Sequence, residues 1–243
     1  MNAYLLQLIV YSVIIIIIAW LGGLIPFYFR ENSRLIHLFI SLGAGVLLGA
    51  SFLHMIPDAV KYIGAQVGMG TLLGFLALYL LEKFVMTHPC PAEHCEYHKL
   101  GLTAFIGLSL HSLITGLALG AGIMVPRLGL IVFLAVLFHK LPASLSLTSL
   151  FIKEHYSNKK LFSYLTAFSL MVPLGAFITY FFFKGTASHQ TIGFLIAFSA
   201  GTFLHVAADD LLPEVHHHAV DRIPRLFTFL LGLLVIWGVK FLE

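Results

Sequence analysis

Residues 100–123 read LGLTAFIGLSLHSLITGLALGAGI, 24 residues without Asp, Glu, Lys or Arg. A helix of that length covers the roughly 30 Å hydrocarbon core of a bilayer. Its one ionisable side chain, His111, is the twelfth of these residues, near the middle of such a span. An ionisable group there costs at least a few kcal/mol, so the stretch fixes both the solvent and the first functional residue.

The rest of the chain has the same character. Of 243 residues 59% are hydrophobic and 10% charged, where a water-soluble surface needs roughly 25% charged residues. Mean hydropathy is +0.96. Windows of about 19 residues give eight apolar segments, near 4–29, 35–57, 68–86, 100–123, 127–152, 160–183, 191–212 and 224–241. The expected fold is all-α, a single transmembrane domain over 1–243 with eight helices. This excludes a soluble enzyme and a disordered tail. A net charge of +3, dispersed along the chain, excludes a nucleic-acid-reading stripe. The apolar runs do not alternate with polar residues, so a membrane β-barrel fails as well. No basic residue precedes the first segment and no small-residue cleavage site follows it, so it reads as a retained helix.

Orientation follows from Lys and Arg in the connections. Those after segments 1, 3, 5 and 7 hold nine: Arg30, Arg34, Lys83, Lys99, Lys153, Lys159, Lys160, Arg222 and Arg225. The opposite side holds Lys61, Arg127, Lys184 and Lys240. Both termini are therefore expected on the non-cytosolic side, and the His/Cys connection over 87–99 in the cytosol.

The chain also matches itself at an offset of 156 residues. Ala44-Gly45 through Leu48 and Pro57 through Val60 lie on Ala200-Gly201 through Leu204 and Pro213 through His216, and His54 falls on Asp210. The matched spans run in opposite directions, so the expectation is an inverted repeat of segments 1–3 against 6–8, with 4 and 5 central. A weaker echo at offset 28 lays His111-Ser112 on His139-Lys140. Inverted repeats with polar residues at mid-membrane are the architecture of alternating-access transporters.

The costly residues form a pattern. His139 lies as deep in segment 5 as His111 in segment 4. Spacing of four puts His54 with Asp58, His205 with Asp209, and Asp210 with Glu214 on shared helix faces. Imidazole and carboxylate rows near each surface, with two histidines between, can pass a divalent cation along. Neutral imidazole suits zinc and other borderline transition metals, whereas Ca and Mg prefer oxygen cages. The opposing reading is that such residues are hydrogen-bonding glue between helices. Pro142 frees a backbone carbonyl near His139, for packing or for a ligand. Gly116, Gly120 and Gly122 give segment 4 a small face for close helix approach. The loop His88, Cys90, His94, Cys95, His98 either captures metal or is merely polar, and its thiols should stay reduced. His216 to His218 can receive an ion on exit.

On these residues the chain resembles the ZIP family of divalent metal transporters. The resemblance rests on His111-Ser112-Leu-Ile-Thr115-Gly116-Leu-Ala-Leu-Gly120, on His139-Lys140-Leu-Pro142-Ala143, on Ala200 through His205 to Pro213-Glu214, and on His54 through Asp58. It implies eight spans, both termini outside, and zinc, sometimes iron, manganese or cadmium, moving into the cytosol from outside or from an organelle lumen, with the cell membrane the expected location. It also implies that His111 and His139 are metal ligands, with Ser112 and Lys140 at the positions of a second metal. The sequence departs from the commonest pattern at Thr115 and Ala143, where carboxylate or His is usual, and resembles the branch whose fifth span reads His-Lys-x-Pro-Ala. Lys140 would repel a second cation, so one central ion is expected. Asp209 or Asp210 is expected to supply the missing negative charge. A homodimer is left open. Other readings are a membrane-embedded zinc hydrolase, haem ligation by His111 and His139, and a receptor that has lost transport. The hydrolase would need three fixed ligands and an open fourth position.

Overall fold

The computed structural model describes residues 3–85, 97–123, 128–183, 189–213 and 222–239. Among them the chain is helical, with no strand. Helix α1 is Ala3–Tyr28. Helix α2, Ser33–Gly49, continues through a π-helical segment, Ala50–Met55, into α3, Ile56–Ile63, and a 3-10 turn, Gly64–Gln66, leads to α4, Val67–Val85. Then come α5 (Tyr97–Gly122), α6 (Leu128–Lys153) and α7 (Asn158–Ile178), the last ending in a π-helical segment, Thr179–Phe183. Helix α8, His189–His205, runs into a third π-helical segment, Val206–Leu211, and α9 is Arg222–Val239.

Each apolar segment read from the sequence coincides with a helix. The addition is α3, expected as a connection because Asp58 and Lys61 interrupt the apolar run. Six stretches are long and apolar enough to cross a membrane: Ala3–Tyr28, Ser33–Lys83, Gly101–Gly122, Val132–Lys153, Asn158–Phe182 and Gln190–Asp209. The second is 51 residues long and contains α2, α3 and α4; α9 is not among the six. The chain is thus a multi-pass α-helical membrane protein. Asn32 starts α2 by accepting the Leu35 amide on its side-chain oxygen at 3.2 Å. Gly64, at φ +52°, ends α3 in a left-handed conformation that a side chain would strain.

The helices pair within two halves. In one, α5 lies along α7 and α1 along α6; in the other, α2 lies along α9, and α3 and α4 along α8. The halves meet where α2 crosses α6 and α5 crosses α8. Lipid is as apolar as a Leu side chain, so helices in a bilayer associate through close backbone approach rather than a hydrophobic drive. Paired glycines provide that approach here. A Cβ on Gly116 would collide with the Val172 carbonyl of α7, and one on Gly175 of α7 with the Leu113 carbonyl of α5. Gly74 and Gly201 stand likewise against the Phe198 and Thr71 carbonyls between α4 and α8.

Helix α6 runs unbroken through Pro142 and is buried continuously from Pro142 to Phe151. The hydroxyls of Ser144, Ser146 and Ser149 donate to carbonyls of their own helix, Lys140, Pro142 and Leu145, at 2.7 to 3.0 Å. Their polarity is satisfied without water, as burial in a membrane requires.

Gly175→Leu should lower the midpoint of thermal unfolding in detergent by several degrees, because overpacking a close contact costs about 1–3 kcal/mol. Circular dichroism of the purified variant beside wild type checks this, and an unshifted midpoint would mean that α5 and α7 do not touch there.

Candidate metal centre

Where α5 crosses α6, residues 28 apart pair twice. His111 Nε2 lies 3.4 Å from His139 Nε2, and Lys140 Nζ donates to Ser112 Oγ at 2.9 Å. Successive residues point about 100° apart around a helix, so the two pairs face different neighbours. His111 faces α8, and the lysine faces α7. Two nitrogens bound to one tetrahedral zinc, each about 2.0–2.1 Å from it, stand about 3.3–3.4 Å apart. The imidazoles therefore already have the separation of ligands sharing one ion. Thr115, one turn beyond His111, donates its hydroxyl to the His111 carbonyl at 2.8 Å, and its oxygen lies 3.1 Å from His111 Nε2.

Lys140 is 1% exposed. Besides Ser112 it donates to the Phe168 carbonyl at 3.1 Å, and its ammonium sits 3.4 Å from the centroid of the Phe168 ring. A hydroxyl, a carbonyl and a ring face engage it, with no carboxylate among these partners. The lysine is thus held among α5, α6 and α7. Ala143, 3% exposed, brings no donor atom.

Helix α8 measures the depth of the other groups. Ser199 contacts His111, its Oγ 2.5 Å from Nδ1. Outward, Gly193 packs on Tyr62 of α3, and the Ala200 carbonyl accepts from Ser51 Oγ in the first π-helical segment at 3.3 Å. His54 lies three residues beyond Ser51, about one turn toward α3. Its Nδ1 is 3.5 Å from Asp58 Oδ2, and Lys61 Nζ donates to Asp58 Oδ1 at 2.5 Å. The spacing of four does bring His54 and Asp58 together, with a lysine holding the second carboxylate oxygen.

In the other direction His205 is six residues below Ser199, about 9 Å along the helix. It is 0% exposed, and its Nε2 lies 3.2 Å from Glu82 Oε2 of α4. Asp209 joins them, one ligand atom from each of the three residues lying within 4.8 Å of the others. The rings of Phe75 and Tyr79 stand edge-on to His205 at 5.1 and 6.3 Å. Asp209 thus sits with Glu82 and His205, about ten residues of helix from Ser199, and not beside His111 as a counter-charge. Glu82 is the residue that the sequence reading missed. An acidic group inside an apolar segment is a functional signal by default, but next to Lys83 it passes for the charged edge of a span. The side chain of Asp210, and all of Glu214 and His216 to His218, lie outside the described residues. So does the stretch from His88 to His98, apart from the backbone at Tyr97 and His98.

Known proteins match most of the chain. The family model described as ZIP Zinc transporter matches residues 5–100 and 86–240. Zinc transporter ZIP9-B of Xenopus laevis is 25% identical over 262 residues, covering 86% of each chain. Zinc transporter ZIP9 of Macaca fascicularis is 34% identical over 127 residues, 48% of this chain and 54% of its own. Zinc transporter ZIP13 of Pongo abelii is 24% identical over 198 residues, 72% of this chain and 57% of its own. With a family match from residue 5 to residue 240 and the paired histidines in its two central helices, the chain belongs to the ZIP zinc transporter family.

Proposed function

We propose that the protein carries zinc across a membrane toward the cytosol, one ion at a time, through a central site between α5 and α6 whose first ligands are His111 and His139. The observation that carries this reading is the 3.4 Å separation of their Nε2 atoms, which suits one shared tetrahedral ion. His54 and Asp58 receive the ion on the outer side; Glu82, His205 and Asp209 take it on the inner side, ahead of Asp210, Glu214 and the His216 cluster. The oxygens of Thr115 and Ser112 are weak auxiliary ligands. Lys140 keeps the site to one metal by standing where a second would repel it. Hard oxygen-seeking ions fit poorly, because imidazole leads the donor set; iron, manganese and cadmium remain secondary cargoes.

Eight spans with both termini outside and an inverted repeat suit this cycle. Supporting the repeat, the π-helical segments Ala50–Met55 and Val206–Leu211 begin 156 residues apart, the offset of the sequence match. Each carries candidate ligands and is followed by a proline, Pro57 or Pro213. Such segments loosen the backbone hydrogen-bond ladder and concentrate at functional sites. Access switches as the half holding α5 and α6 moves against the half holding α8. The cell membrane is the location that suits import. Family membership lends no support to a hydrolase.

Uptake of radioactive zinc into proteoliposomes tests the central site. His111→Ala combined with His139→Ala should cut initial uptake at least about tenfold, the order expected when ligands are lost; uptake equal to wild type would reject the site. Glu82→Gln combined with His205→Ala should lower the maximal rate about three- to tenfold while leaving the KM for external zinc near wild type, since release rather than capture is impaired. An unchanged rate would remove the inner cluster from the route.

A further inference from the structure

His111 is gripped by a helix of the opposite half. Ser199 Oγ lies 2.5 Å from its Nδ1, and Phe203, one turn along α8, packs on its ring face at 3.8 Å between centroids and a 38° tilt. His111 is 6% exposed and Ser199 1%, so bulk water does not compete for the ring nitrogen.

A neutral imidazole carries hydrogen on one nitrogen and a lone pair on the other. The nitrogen turned toward His139 is Nε2, and a metal ion can use it only as a lone pair. The hydrogen must then sit on Nδ1, and Ser199 Oγ must accept it. The alternative tautomer is also catered for. Thr115 gives its own hydrogen to the His111 carbonyl at 2.8 Å, so toward Nε2 its oxygen can only accept. With hydrogen on Nε2 the ring donates to Thr115, and the Ser199 hydroxyl turns to donate to Nδ1. A hydroxyl serves both tautomers because it is both donor and acceptor.

From this geometry we propose that Ser199 is the positioning residue of the central zinc ligand. Its hydroxyl accepts from Nδ1 of His111 when zinc takes Nε2, reverses to donate when the ring carries hydrogen on Nε2, and holds the ring plane against Phe203 throughout. The proposal rests on the reading that His111 and His139 hold the transported ion. Partners behind metal-bound histidines fix tautomer and ring orientation in this way, and losing one costs about 10- to 100-fold in metal affinity. No motif in the sequence marks Ser199; only the crossing of α5 and α8 brings it to His111.

Initial rates of zinc uptake by the full chain in proteoliposomes, over a range of zinc concentrations, test this. Ser199→Ala should raise the KM for zinc about tenfold with the maximal rate within about twofold of wild type, a split that a packing defect would not give. Ser199→Thr, which restores the hydroxyl, should return the KM to within about threefold of wild type. An unchanged KM in Ser199→Ala overturns the proposal, and so does an equal loss in the Ala and Thr variants. His111→Ala plus His139→Ala, run in parallel, separates the two readings: wild-type uptake by that protein overturns the central site itself. Loss there with wild-type KM in Ser199→Ala overturns only the role of Ser199.

Discussion

Hydrocarbon cannot solvate an imidazole or an ammonium, so each ionisable group within the bundle has to find its partners in the protein itself. The centre of this molecule is organised around that requirement. His111 has Ser199, Thr115 and His139 about its ring nitrogens, and Lys140 has Ser112, the Phe168 carbonyl and the Phe168 ring. Remove the helices that bring those partners and the same residues would oppose insertion.

Backbone proximity makes the arrangement possible. Reciprocal glycine contacts between α5 and α7, and between α4 and α8, bring helices near enough for short side chains to reach across. Between α4 and α8 that approach lets the Glu82 carboxylate reach His205. Small residues in lipid thus act indirectly on the chemistry: they set interhelical distance, and distance decides which polar groups can reach each other.

In the proposed route charge is uneven along α8. Carboxylates stand with histidine toward both ends of the helix, whereas imidazoles meet at the centre. Two neutral imidazoles compensate a dication poorly, so a zinc ion carried there would be held less firmly than by a site with carboxylate, which favours passage over storage.

The apolar runs, and the spacing of four between His54 and Asp58 and between His205 and Asp209, were legible in the sequence because hydropathy and helical pitch are local properties. The matching level of His111 and His139 was legible too, since each lies about equally far into its own apolar segment. Rotation about each helix axis was not. Most of these helices are apolar around their whole circumference, so no stripe tells which face turns inward. For that reason Glu82, 123 residues before His205, Ser199, 88 residues beyond His111, and the actual company of Asp209 emerged only when α4, α5 and α8 packed together. Sequence alone determined the solvent, the apolar helical segments and the matching level of the two central histidines; tertiary packing decided which groups face each other, because that depends on contacts between helices that no single helix encodes.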